Sequence, residues 1–149
     1  EELDTLSLYM EFERMRFQNK FDFDIKVNSQ LDLSSVRVQS LLLQPFVENA
    51  IWHGLMPLKS SGKVMITVES HKENSIVINI EDNGIGREKA KEFSKSSTQK
   101  HKSFGLQITK ERLELLKHSN NKSASFVIID LYDKAGEPKG TKVQIIYDL

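Results

Sequence analysis

The chain has 149 residues, a length that suits one domain with its own core. Its 21 basic and 21 acidic residues cancel, which argues against a dedicated nucleic-acid binder, because such a surface needs an excess of Lys and Arg. It has no cysteine, so disulfides and thiolate metal sites are excluded, and no apolar run is long enough to span a bilayer.

The chain opens on Glu and no signal peptide is recognisable, so it reads as a fragment, and any membrane anchor would lie outside it. Glu1 to about Gln18 is predicted as a helix, with Leu3, Leu6, Met10 and Phe17 near one face and Leu8, Phe12 and Met15 on a second. Two apolar faces call for two neighbours. They fit either ordinary core packing or the end of a helical hairpin or dimer contact. Phe21, Phe23, Ile25 and Val27 alternate with polar residues as a half-buried strand does. A second helix is expected from about Ser40 to Leu55, with Pro45 in its first turn or kinking it. Two strands follow, marked by Val64, Ile66 and Val68 and by Ile76, Ile78 and Ile80.

Arg87 to Ser103 is polar and rich in Lys, a solvated surface connection in the plain reading, and Ser94, Ser96, Ser97 and Thr98 mark its middle as a flexible loop. A helix from about Phe104 to Lys117 comes next. Two strands, Ser125–Leu131 and Thr141–Tyr147, close the chain across a turn containing Gly136, Pro138 and Gly140. Helices on one side of a mixed, mostly antiparallel sheet make a two-layer α+β sandwich.

Four short segments carry chemistry. In the first, Asn49 and His53 are four apart and share a helix face, with Glu48 beside them. An Asn oxygen suits a hard cation such as Mg2+, and His53 can reach a phosphate; a buried hydrogen-bonding Asn and a core histidine are the plain alternative. The second is Glu81-Asp82-Asn83-Gly84-Ile85-Gly86 after a strand. Asp82 can accept from an exocyclic amine, and the glycines let backbone approach a flat ligand; a simple Asn-Gly turn is the alternative. The third is Lys102-Ser103-Phe104-Gly105-Leu106, a helix entry with exposed N–H groups behind a Lys-rich stretch, or simply a helix capped by Ser103. The fourth, Gly140-Thr141, says little alone.

The order of these segments resembles the Bergerat ATP-binding fold of the GHKL superfamily, which includes histidine kinases, gyrase B and Hsp90. Leu41-Leu42-Leu43-Gln44-Pro45-Phe46-Val47-Glu48-Asn49-Ala50 and Gly105-Leu106-Gln107-Ile108-Thr109-Lys110-Glu111-Arg112-Leu113 look more narrowly like LytS-type sensor kinases. Tyr9 to Phe17 is similar to the segment that joins that family's histidine hairpin to its ATP domain.

The resemblance implies a linker helix over residues 1–20 and an ATP-binding catalytic domain over 21–149. By it, Asn49 would hold Mg2+ and Asp82 the adenine amine. Gly84, Ile85 and Gly86 would shape the adenine pocket, and Thr141 would support Asp82 and a pocket water. Gly105 would let the helix entry approach the phosphates, His53, Lys102, Phe104 and Leu106 would also bind the nucleotide, and about Arg87 to Ser103 would form the ATP lid. Glu48 would assist the metal or take the acceptor histidine's proton. The partners implied are the protein's own histidine-bearing hairpin, a response regulator and a second copy in the full-length protein, with no nucleic acid and no membrane contact by this segment. The segment would be cytoplasmic, and the full-length protein would sit in the bacterial inner membrane.

The sequence departs from the family in three places. Pro45 stands where hydrolytic members carry a general-base Glu, which disfavours an ATP-hydrolysing clamp. Trp52 stands where a Lys is common, and Ser103 where the first lid glycine is usual. Those two motivate an alternative reading as a non-catalytic sensor or scaffold of the same fold. None of His53, His71, His101 and His118 lies in the family's phospho-acceptor context.

Overall fold

The computed structural model describes residues 2–32, 36, 38, 41–96, 108–111, 113, 114 and 123–149. Helix α1 spans Glu2–Arg16, with Glu2 and Asp4 in its first turn and Arg14 and Arg16 in its last, as the helix dipole favours. Gln18 and Asn19, at φ 54° and 58°, reverse the chain, and the Asn19 N–H donates to the Arg14 carbonyl at 2.9 Å. Strand β1 (Phe21–Val27) then enters the sheet at its edge.

Helix α2 (Gln44–Asn49) begins with Pro45 in its first turn, where the missing N–H costs nothing. It runs into a π-helical stretch, Ala50–Leu55. The helix therefore starts later than its apolar pattern suggests. Leu41 has a left-handed φ of 62°, and helical bonding begins only after it, while Ser40 lies outside the described residues.

Strands β2 (Gly62–Lys72) and β3 (Ser75–Asp82) form an antiparallel hairpin. β4 (Ala124–Tyr132) and β5 (Pro138–Asp148) form another. The sheet order is β1-β2-β3-β5-β4, with only β1 and β2 parallel. α2 and the π-helical stretch make the crossover between the two parallel strands.

One face of this sheet is the core. Ile66 opposes Ile80, Val68 opposes Ile78, and Ile78 opposes Ile145. Phe46, Val47, Ile51 and Leu55 cover that face, and Leu6 and Met10 of α1 join the same cluster. On the other face Gln144 donates to Asn79, and Asn79 to Thr67, each at 3.1 Å. Period-two alternation thus sorts apolar from polar, as a two-layer α+β sandwich requires.

Two expectations are corrected. Gly86–Ser96 forms a helix, α3, where a polar surface connection, flexible from Ser94 onward, was expected. Its Arg, Glu, Lys and Ala residues are good helix formers, and Arg87 and Lys89 are ion-paired to the β4–β5 hairpin. Pro138 and Gly140 lie in β5 itself, and the turn is confined to the residues before it. Of the expected helix over Phe104–Lys117, residues 108–111, 113 and 114 are described, and they are helical, with Thr109 and Leu113 buried.

Candidate functional site

A cavity of about 320 Å³ opens between the α2–π-helix unit, α3 and the inner face of the sheet. Its walls follow from strand register. Ile80, Val143 and Ile128 form one cross-strand row on β3, β5 and β4, and all three line the cavity. Two residues further along is the row Asp82, Thr141 and Asp130. The apolar row makes a greasy floor, and Asp82 and Thr141 of the polar row make its end wall.

Asp82 is 4% exposed. Its Oδ1 accepts the Gly84 N–H at 2.8 Å, closing a tight turn. Burial pushes its carboxyl up to about 7, Glu81 adds to the shift, and the backbone N–H groups of Gly84 and Thr141 pull the other way. A side chain on Gly84 would run into the Gly54 backbone, and one on Gly140, at φ 114°, into the Asp82 carbonyl. The Gly54 carbonyl accepts the Ile85 N–H at 3.0 Å, so the Asp82 turn is bolted to the π-helical stretch.

Asn49 ends α2 and His53 lies in the π-helical stretch, and both face the cavity. π-helical bonding is rare and recurs at functional sites. Across the opening, Gly86, Arg87, Ala90 and Lys91 of α3 complete the lining. Arg87 donates to Asp130 through Nε (2.6 Å) and a terminal nitrogen (2.7 Å), a fork that ties α3 to β4 and holds the Asp130 carboxyl below its usual range.

The structure thus brings Asn49, His53, Asp82, Gly86 and Thr141 together at one cavity. Gly84 and Ile85 back its wall rather than line it. Glu48 is off the lining, and its Oε1 accepts from Gln44 Nε2 at 2.8 Å. Lys102, Phe104, Gly105 and Leu106 lie outside the described residues. Sequence reasoning placed Arg87 and Ala90 only within the lid and gave Gly54 no role of its own at the site. The only signal for Gly54 was its place beside His53, and nothing in the sequence pairs Arg87 with Asp130.

The donor chemistry fits a nucleotide and a hard cation. The walls are apolar enough for a flat base, with one buried acceptor at the end. No cluster of three or more His, Cys, Asp or Glu residues occurs among the described residues. A single neutral oxygen from Asn49 suits an ion that takes its other ligands from phosphates and water.

Residues 36–149 match the family model of the histidine kinase-, DNA gyrase B- and HSP90-like ATPases. The chain belongs to that ATPase family. It is 30% identical over 149 residues to the uncharacterized protein YwpD of Bacillus subtilis (strain 168), covering 95% of this chain and 52% of YwpD. It is 31% identical over 85 residues to the sensor protein LytS of the same organism, covering 57% of this chain and 14% of LytS. The chain therefore spans about half of one relative and a small part of the other. The solved histidine kinase ThkA, in complex with the response regulator protein TrrA, shares the fold with a TM-score of 0.59 at 17% identity, covering 99% of this chain and 39% of that one. The α+β sandwich of this ATPase family is thus the fold of histidine kinase catalytic domains, and sensor kinases including LytS are its homologues.

Proposed function

We propose that this domain binds ATP with Mg2+ and presents the γ-phosphate to a histidine on an upstream helical hairpin, for relay to a response regulator. The observation that carries the reading is the buried Asp82 carboxyl in an apolar cavity that Asn49 and His53 also line. Asp82 accepts the adenine amine, supported by Thr141, and Gly84, Ile85 and Gly86 hold the turn open for the base. Asn49 offers its amide oxygen to the metal, and His53 contacts a phosphate. Lys102, Phe104, Gly105 and Leu106 would complete the phosphate side. Bound Mg2+ would neutralise charge on the phosphates. The chain's own residues position and desolvate the nucleotide, which is most of what phosphoryl transfer asks of a protein.

Residues 1–20 act as the linker to the hairpin in this reading, and 21–149 as the catalytic unit. Leu8, Phe12 and Met15 of α1 are 73%, 63% and 65% exposed, and this second apolar face suits a helical neighbour in the hairpin or in a second copy. Glu48, off the cavity lining, would act on the side of the incoming histidine. The segment works in the cytoplasm, and the full-length protein sits in the bacterial inner membrane. No described helix is long and apolar enough to cross one.

Calorimetric titration of ATP with and without Mg2+ tests this reading. We expect Mg2+ to strengthen binding to the unaltered chain, Asn49→Ala to abolish that strengthening, and Asp82→Asn to abolish binding itself. In the full-length protein, Asn49→Ala is expected to remove histidine phosphorylation. Normal phosphorylation by that variant would overturn the metal role. Absence of nucleotide binding by the unaltered chain would favour the scaffold reading.

A further inference from the structure

α1 lies along the helix that carries Asn49 and His53 and grips it at both ends. At one end the Glu2 carboxylate accepts the backbone N–H groups of Leu41 (2.8 Å) and Leu43 (3.2 Å), just before α2. At the other end Trp52 stands between Asn49 and His53 in sequence but is 39% exposed and does not line the cavity. Its ring meets Phe17 edge-on at 4.9 Å, and the Arg16 guanidinium lies over it at 5.2 Å. The Trp52 indole also stands beside the Tyr9 hydroxyl, whose pKa its N–H pulls down against the larger effect of burial. Three residues of α1 and its C-terminal turn thus converge on one side chain of the π-helical stretch.

We infer that Trp52 is a positioning residue, through which the seating of α1 sets where Asn49 and His53 stand and hence how well the phosphate side of the cavity binds. The inference rests on the nucleotide reading above and adds a control to it. The path is short and physical. Trp52 flanks His53 directly. Gly54, two residues on, is bonded to Ile85 and packed against Asp82, so this helix is fixed on its adenine side while α1 holds the opposite side. A π-helical stretch is a place where backbone bonding has an alternative register, so a lateral pull is absorbed there rather than in the α-helical turn before it.

The seat of α1 is also incompletely satisfied. Glu13 is 4% exposed, and its Oε2 has no hydrogen-bond partner among the described residues. Arg16 reaches its other oxygen only at 3.6 Å. A buried carboxylate held this loosely makes the interface one that yields to a pull on α1.

The test separates the two halves of the cavity with two ligands. Adenosine probes the Asp82 side, and Mg2+·ATP probes both sides. For Trp52→Ala we expect Mg2+·ATP affinity to fall about fivefold or more, the range of ordinary intersite coupling, with adenosine affinity unchanged. Trp52→Phe keeps a ring against Phe17 and Arg16, and is expected to restore most of the loss. Trp52 is the only tryptophan, so its emission reports the contact directly, and is expected to shift with Mg2+·ATP but not with adenosine. Should Trp52→Ala fail to fold, Arg16→Ala and Tyr9→Phe remove the partners instead, with the same selective loss expected. Equal losses for both ligands, or no loss for Mg2+·ATP, would show a merely structural role and overturn the inference alone. Failure of the unaltered chain to bind either ligand would overturn it together with the nucleotide reading.

Discussion

Asp82 carries opposing demands. Its burial makes it a good acceptor for a ligand amine and a poor place for a charge. In the fold its carboxyl titrates near 7 instead of 3.8, so the folded chain holds the proton more tightly than the unfolded chain does. The stability from that proton is fully present below about pH 4 and is lost as pH rises through about 7, a fall on the order of a few kcal/mol. Thermal denaturation between pH 4 and 8 is expected to show this decline. Asp82→Asn, neutral throughout, is expected to flatten it and to leave the chain at least as stable as the parent at pH 8. Nucleotide binding favours the carboxylate, so it should release a proton near pH 6.5, which calorimetry in buffers of different ionisation enthalpy would detect. A site residue that costs stability when charged is a familiar compromise between function and fold.

At the scale of elements, α3 decides how the cavity is closed. It lines the cavity through Ala90 and is pinned by Arg87 to Asp130, one row-mate of Asp82. The pair is partly exposed, with side chains 44% and 29% accessible, so its worth to global stability is small. Asp130→Ala is expected to cost no more than about 1 kcal/mol in denaturant unfolding. Amide exchange in the first turns of α3 should nonetheless quicken, and nucleotide affinity should fall, because the wall of the cavity is less fixed. Unchanged exchange would mean that packing alone holds α3.

Over the whole molecule, α1 is both part of the core and a surface. Met10 is fully buried and Leu6 is 2% exposed, whereas Phe12 on the opposite face is 63% exposed. Met10→Ala should therefore cost about 2–5 kcal/mol, as core truncations do. Phe12→Ala should stay within about 0.5 kcal/mol in this chain, its larger effect being reserved for assembly with a helical neighbour. Chemical denaturation of the two variants measures the contrast. Comparable losses would mean that the second face of α1 is occupied here too.

Alternating residues made the strands and their buried faces readable, because a period of two survives whatever the strand pairs with. The residue types of the site were readable for a similar reason: Asp82-Asn83-Gly84 and Asn49 with His53 are local patterns, and their order along the chain carried the resemblance. α3 was missed because a charged stretch with only Ala90 and Phe93 apolar looks the same as a solvated connection until Asp130 and Glu137 are brought opposite it. The π-helical stretch and the approach of Gly54 to Gly84 were equally hidden, since both depend on how a helix is pressed against a distant turn. The role of Trp52 belongs with these. By itself the sequence determined which faces would be buried and which side chains could bind, since both are properties of neighbours along the chain. Only the tertiary structure decided what meets what, because contacts between Trp52 and Phe17 or Arg87 and Asp130 exist only once the chain has closed the distance between them.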